Sequence, residues 1–326
     1  MILREMPAIW DEQFRPLFYS RWGRENCIVA ARTRKAEYPL FQQRLSIKAA
    51  WRGHENYYVD GRRIAVDDET YVILNDGRTY ASTLRATVPV ISFAIFFRPG
   101  MAEEVARALI SRQELLLDSP EERPANPPEF SEHIRPHDRQ ISPVLRFIFR
   151  HIEAGLKDEA WYEEQLYFLL GRMLNLQRRD RIATDLIPAD RASTRKELFR
   201  RVGLAVDFIH SNFSGPVGLK HIADAALLSP FHCLRVFKAV HGKTPIAYLN
   251  DRRVQTARRL LRAREQSMSQ VAKAVGFGNR STLYRQLKAS HQMLFEERQR
   301  PFEVAGDQED APGVVPAHTA PGSSNQ

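Results

Sequence analysis

Residues 38–97 read as β structure, short apolar or alternating runs separated by turn residues. Leu45, Ile47, Ala49 and Trp51 alternate with Ser46, Lys48 and Ala50, the period of a half-buried strand. Tyr57-Tyr58-Val59 and Arg63-Ile64-Ala65-Val66 flank Asp60-Gly61, a pair that suits the positive φ angles of a tight hairpin turn. A further strand, Thr70–Leu74, ends at Asn75-Asp76-Gly77, and a longer one runs from Leu84 to Phe97. Short antiparallel strands with turn residues between them predict a small barrel or sandwich.

From Met101 to Leu117 the period becomes helical, with Val105, Leu109 and Leu116 expected to face inward. Asp118–Pro143 holds six prolines in 26 residues and reads as a loop. Two helices follow, Val144–Gly155 and Glu159–Gln177, the second carrying an apolar stripe of Leu166, Leu169, Leu170, Met173 and Leu174. That stripe fits packing on its own domain or a dimer interface. The chain is polar from Arg178 to Ser193, and residues 181–194 are taken as an interdomain linker. Helical periodicity resumes from Arg195 to about Arg300, and the tail, residues 301–326, is too rich in Pro, Gly, Ser and Ala to build a core.

Within the last helical region two segments resemble each other at an offset of 50 residues. Cys233-Leu234-Arg235-Val236-Phe237-Lys238-Ala239 aligns with Leu283-Tyr284-Arg285-Gln286-Leu287-Lys288-Ala289. Upstream stand Ile222-Ala223 and Val271-Ala272, each followed by a turn. From that alanine to the large apolar residue the spacing is 14 in the first copy and 15 in the second. The extra residue falls near Gly276-Phe277-Gly278. Each copy reads as helix, turn, helix, over about 219–240 and about 269–290. Ser229 is placed to cap the first reading helix and Pro230 fits its opening position, where a missing N–H costs nothing. Gly276 permits the second turn, and Asn279 is the matching cap. Periodicity buries Leu234 and Phe237 in one copy and Leu283 and Leu287 in the other. It exposes Phe231, His232, Arg235 and Lys238, then Arg280, Ser281, Tyr284, Arg285 and Lys288. One helical step would move Leu234 to the exposed face.

Charge sharpens this picture. The chain has 326 residues and a net charge of +9. Arg195–Arg300 holds 20 Lys+Arg against 7 Asp+Glu, so 20 − 7 = +13; Met1–Thr194 balances at 28 against 28; the tail contributes −4. A cationic excess confined to one third of the chain points to a polyanion, nucleic acid before membrane. An Arg-rich helix held by a second helix is the arrangement that reads the major groove of DNA. Arginine's planar fork matches guanine O6 and N7, whereas lysine suits phosphate. Between the copies, Thr244 caps and Pro245 opens a helix lined by Leu249, Val254, Ala257 and Leu261. About 19 residues at ~1.5 Å each span roughly 28 Å, close to the ~34 Å between successive major grooves on one face of the duplex. One chain can therefore present both readers without dimerising.

Residues 198–300 resemble the DNA-binding domain of the AraC/XylS family of bacterial transcription regulators. The resemblance is carried by Ile222-Ala223-Asp224-Ala225-Ala226-Leu227-Leu228-Ser229-Pro230-Phe231-His232, by Arg235-Val236-Phe237-Lys238 and by His241-Gly242-Lys243-Thr244-Pro245. Ala272-Lys273-Ala274-Val275-Gly276-Phe277 opens the second half. The pattern departs at Leu287, Gln292, Phe295 and Arg298-Gln299. More weakly, Tyr58-Val59-Asp60-Gly61-Arg62 and Leu74-Asn75-Asp76-Gly77 resemble that family's cupin-like effector domains. Carried over residue by residue, base contacts fall on Phe231, Leu234 and Arg235, then on Arg280, Ser281, Tyr284 and Arg285. The resemblance implies an effector that alters the orientation or dimerisation of the DNA-binding domain, with promoter DNA, a homodimer partner and RNA polymerase as the macromolecular contacts.

Other chemistry is thinly represented. Cys27 and Cys233 are the only cysteines, which excludes a disulfide scaffold and a four-cysteine zinc site. Gly242-Lys243-Thr244 lacks the upstream glycine and strand of a phosphate-binding loop, and Gly276-Phe277-Gly278 meets Ser281 where a dinucleotide fingerprint needs glycine. His133 and His137 are separated by Pro136, and the strand region has His54 alone, so neither a metal nor another cofactor is expected. Met-Ile-Leu-Arg-Glu-Met-Pro, with its early acid and no long apolar stretch, is not expected to be a secretory leader, and no apolar run approaches the ~20 residues of a membrane helix. A cytoplasmic location is expected.

The chain thus reads as multidomain α+β. Residues 1–180 form a small, cupin-like β-barrel with a helical connector, serving effector binding and dimerisation. Residues 195–300 form an all-α double helix-turn-helix. Aromatic residues on the strands, Trp51, Tyr57, Tyr71 and Tyr80, are the candidate effector contacts. The competing readings are a cupin-type enzyme with a basic appendage, which lacks clustered His and Glu ligands, and a non-specific architectural DNA binder.

Overall fold

The computed structural model describes residues 1–111 and 127–299. Leu116 and the tail 301–326 lie outside the described residues. The N-terminal half contains β1 (Ile2–Leu3), α1 (Phe14–Arg21), β2 (Cys27–Gln42), β3 (Ser46–Trp51), β4 (His54–Val59), β5 (Arg62–Asp67), β6 (Thr70–Leu74) and β7 (Thr79–Phe96). Helix α2 (Met101–Ser111), the short β8 (Arg135–Pro136), α3 (Ser142–Glu153) and α4 (Glu159–Asp185) complete it.

Strand β7 organises the sheet. It pairs with β2 along nearly its whole length, with β3 through Ile91–Phe96, and with β4 through Tyr80–Thr83. Register shifts between Thr33 and Lys35 and between Tyr38 and Phe41 bend the β2–β7 ribbon, as bulges do. The sheet therefore folds over on itself. It stays open, in the order β1-β2-β7-β3-β6-β8 with β4 and β5 branching from β7, so the architecture is α+β as expected but the sheet does not close as a barrel. Asp60 and Gly61 turn the β4–β5 hairpin at φ 49 and 72.

Strand β3 departs from its sequence pattern in a consequential way. Ile47, Ala49 and Trp51 pack toward α3 and α4 in one core. The opposite set, Ser46, Lys48 and Ala50, is buried too, inside the fold of the sheet. Strand β2 begins eleven residues before the β region expected from residue 38 (38 − 27 = 11), because its exposed stretch around Arg34 and Lys35 breaks the apolar alternation. Leu109 is 42% exposed rather than inward, since α2 anchors through Met101, Ala102 and Val105. The expected loop 118–143 contributes β8 and two buried isoleucines, Ile134 and Ile141.

The segment taken as a linker is mostly helix. Helix α4 continues to Asp185, and α5 (Ala192–Asn212) begins after the six residues 186–191. Polar composition did not signal a loop here, because Arg, Gln and Asp on a helix surface are ordinary; Asp180 pairs with Arg135 and the Thr184 hydroxyl donates to the Asp180 carbonyl. Beyond α5 come α6 (Leu219–Ala225), α7 (Pro230–His241), α8 (Pro245–Ala263), α9 (Met268–Ala274) and α10 (Arg280–Gln299). No described helix is long and apolar enough to cross a membrane.

Candidate nucleic-acid interface

Both helix-turn-helix units are built from short-range signals that the chain carries openly. In the first, Ser229 accepts from the His232 amide and Pro230 opens α7; a cap of this kind contributes about 1 kcal/mol. Ala223, fully buried, accepts the Leu228 amide through its carbonyl and closes the turn. In the second, the Ala272 carbonyl accepts the Phe277 amide at 2.8 Å, and Asn279 Oδ1 accepts the Thr282 amide at 2.9 Å. The joining helix α8 runs 19 residues from its Thr244 cap, as its sequence predicts.

Helix α7 buries Cys233, Val236 and Phe237 against α5 and α6. Its outer face carries Phe231, 77% exposed, with Arg235 and Lys238 also exposed and His232 half-buried. Leu234 is half-buried and stands outside the core, at the margin between the two faces its sequence allowed. On α10, Leu283 is buried and Leu287 half-buried, while Arg280, Ser281, Tyr284, Arg285 and Lys288 are exposed.

Part of the cationic excess is engaged inside the protein. Arg252, only 3% exposed, pairs with Asp67 and Glu69 of the β5–β6 turn, and Arg259 lies 3.5 Å from Asp68 and 3.3 Å from Glu69. Arg253 donates to the carbonyls of Phe213 and Gly215; Arg200 and Arg201 pair with Glu197, and Lys243 with Asp251. These cations are engaged within the protein. Arg235, Lys238, Arg280, Arg285 and Lys288 form no ion pair among the described residues and are free to meet phosphate or bases.

The β4–β5 hairpin, the β5–β6 turn and the segment around Ile134 all hold this unit to the N-terminal half. From the tip of the β4–β5 hairpin, Arg62 donates to Asp207 of α5 at 2.8 Å, and the Ile134 amide donates to the other oxygen at 2.7 Å. Burial pushes the Asp207 carboxyl up to about 7, against the backbone and Arg62 bonds that favour its charge. Arg63 reaches the Ser211 carbonyl at 3.3 Å.

The same hairpin, through Glu55 and Tyr57, walls a cavity inside the folded sheet. Of the four candidate effector contacts, Tyr57 and Tyr80 line it. Trp51 and Tyr71 do not. Trp51 packs on Phe93 and Phe149 beneath α3, and the Tyr71 hydroxyl donates to Asp138, because both belong to the opposite face of the sheet. Lys48 and Glu55 carry no mark in the sequence beyond the charge of Lys48 within a mainly apolar strand. No group of three or more His, Cys, Asp or Glu placed to hold a metal occurs among the described residues.

Comparison with known proteins converges on the C-terminal region. Residues 222–300 match a family described as a helix-turn-helix domain. YdeC, an uncharacterized HTH-type transcriptional regulator of Bacillus subtilis, is 35% identical over 81 residues, 25% of this chain and 28% of its own length. AdaA of the same organism, a bifunctional transcriptional activator/DNA repair enzyme, is 32% identical over 78 residues, 24% of this chain and 37% of its own. The chain therefore spans well under half the length of these relatives. Among solved structures, ToxT from Vibrio cholerae aligns over 83% of this chain and 98% of its own, at 10% identity and TM-score 0.31. A probable AraC family transcriptional regulator from Rhodopseudomonas palustris aligns over 31% and 98%, at 22% identity and TM-score 0.27. Residues 222–300 of the chain are a helix-turn-helix domain.

Proposed function

We propose that the protein is a sequence-specific, DNA-binding transcription regulator of the AraC/XylS type, controlled by a small-molecule effector in its N-terminal half. The observation that carries this reading is the sorting of the cations. Arg252, Arg253 and Arg259 of α8 and Arg200 and Arg201 of α5 are tied to acids or carbonyls, while Arg235, Arg280 and Arg285 on the outer faces of α7 and α10 form no ion pair among the described residues. Arg235 and Arg285 take the base-reading role, with Phe231, Leu234, Arg280, Ser281 and Tyr284 beside them. Lys238, Lys288 and His232 take phosphate.

The β4–β5 hairpin supports the regulatory half of the proposal. One end of it walls the cavity, and its tip and the following acidic turn hold α5 and α8. An effector that shifts the hairpin changes how the reading unit is held. Homodimerisation and contact with RNA polymerase belong to the same reading, as does a cytoplasmic location.

Selection of bound duplexes from a randomised library by the full-length protein tests it. The expected product is a bipartite motif whose halves lie about one helical turn, ~10–10.5 base pairs, apart, with affinity falling steeply as salt rises. Retention of all sequences alike, or of none at low salt, overturns it.

A further inference from the structure

We propose that the cavity inside the folded sheet binds a small organic monoanion, a carboxylate with an apolar body, and that Lys48 is its counter-ion. This rests on the effector reading above and names the ligand class. The Lys48 side chain projects from β3 into the interior and is 2% exposed. Its ammonium stands 3.4 Å from the centre of the Phe96 ring and 5.4 Å from that of Tyr80, and has no ion pair or hydrogen-bond acceptor among the described residues. A buried charge without a partner is costly. Ring faces offset part of that cost, yet all three N–H donors still lack an oxygen.

Two further polar atoms on the cavity wall are poorly matched. Gln43 Oε1 is buried without a hydrogen-bond partner, and Tyr80 Oη has only a loose contact with the Ser46 hydroxyl. Buried polar atoms are paired in the great majority of proteins, so Lys48, Gln43 Oε1 and the loosely held Tyr80 hydroxyl converging on one cavity point to a missing guest. Carboxylate oxygens answer Lys48 and the Tyr80 hydroxyl, and the Gln43 amide can turn its NH2 toward them. The remaining wall is apolar, with Phe18, Trp22, Val29 and Phe96, and suits the body of the acid. About 60 Å³ is open to the centres of water-sized molecules, which suits a short acid.

Glu55 is the group that opposes an anion, and it is already served. It accepts from Ser92 Oγ at 2.7 Å, with the Tyr57 and Ser82 hydroxyls also bonded to it. Burial pushes its carboxyl up and pushes the Lys48 ammonium down to about 7. An incoming anion favours the charged lysine and the neutral carboxylic acid, which is the direction each partner needs to move. A cationic guest is disfavoured, because Lys48 itself occupies the ring faces that would hold it.

Calorimetric titration of the full-length protein with butanoate, butanamide and butylammonium tests the assignment. Butanoate is expected to bind at least about tenfold more tightly than its neutral analogue, and butylammonium not at all. Lys48→Met should erase the preference for the acid. Glu55→Gln, which removes the competing charge and keeps an acceptor for the hydroxyls, should tighten butanoate several-fold; a purely structural Glu55 would not move affinity in that direction. Equal binding of acid and amide, no binding of butanoate at millimolar concentration, or weaker binding in Glu55→Gln overturns the proposal. Duplex retention on the same preparations keeps the two readings apart: butanoate binding without DNA binding sinks the regulator and spares the site.

Discussion

The two helix-turn-helix copies share their turn geometry but place their aromatic residue differently. In the first, Phe237 of the reading helix is fully buried and touches His241 and Tyr248, so the aromatic ring anchors the reader itself. In the second, that position holds half-buried Leu287, and the buried ring is Phe277 in the turn, with the Arg253 guanidinium 5.5 Å from its centre. The backing differs as well. Helix α5 packs behind the first copy, against both α6 and α7, whereas α9 and α10 lean on α8 and on each other. A repeat can therefore conserve its local signals while its tertiary support moves elsewhere. Support decides how firmly the Arg-bearing face is held, and firmly held groups lose less freedom on binding.

Three measurements break or sharpen that comparison. Phe237→Ala should cost about 3–5 kcal/mol of stability, as truncation of a fully buried ring does. Leu287→Ala, at a half-buried site, should cost under about half as much. Denaturant unfolding of the full chain monitored by helical signal checks both; equal losses would erase the asymmetry. Next in size are the readers' arginines. Arg235→Ala should lose about 1–3 kcal/mol on the selected duplex and relax base choice at one position. Arg285→Ala should lose less preference for the selected duplex over the scrambled one than Arg235→Ala does, because its less anchored helix gains less from each base contact. Binding at one fixed salt concentration decides it, and a larger loss of preference from Arg285→Ala reverses the ranking.

The smallest expected effect concerns the turns. Leu227 stands at φ 55 where the second copy has Gly276 at φ 83. The left-handed conformation costs a side-chain-bearing residue about 1–2 kcal/mol, and glycine gives back roughly 0.5–1 kcal/mol in backbone entropy. Leu227→Gly should thus raise stability by no more than about 1.5 kcal/mol, read as a small upward shift of the unfolding midpoint. Leucine is tolerated because this turn is open to solvent; a Cβ on Gly276 would meet the Phe213 carbonyl oxygen at 2.7 Å. A fall in stability on Leu227→Gly would mean that the exposed leucine has a packing role.

Most of the helical unit was legible without coordinates. Ser229, Pro230, Thr244, Pro245, Gly276 and Asn279 act within a few residues of themselves, so their caps and turns follow from local chemistry. The Asp60-Gly61 hairpin did too, for the same reason. The exposure of Arg235 and Arg285 followed from helical period, and Leu234 stayed ambiguous because it lies on the boundary of that period.

Tertiary structure alone decided what covers each face and which charges meet. Alternation along β3 distinguishes Ile47, Ala49 and Trp51 from Ser46, Lys48 and Ala50, but says nothing of what lies opposite either set. Only the bending of the β2–β7 ribbon turns the second face inward and creates the cavity around Lys48. Likewise the arginines of α8 read as part of one uniform cationic domain. Arg252 instead spends its charge on Asp67, 185 residues earlier in the chain. Sequence period reports geometry over a few residues, whereas burial and ion pairing depend on surfaces that the chain brings together only by folding.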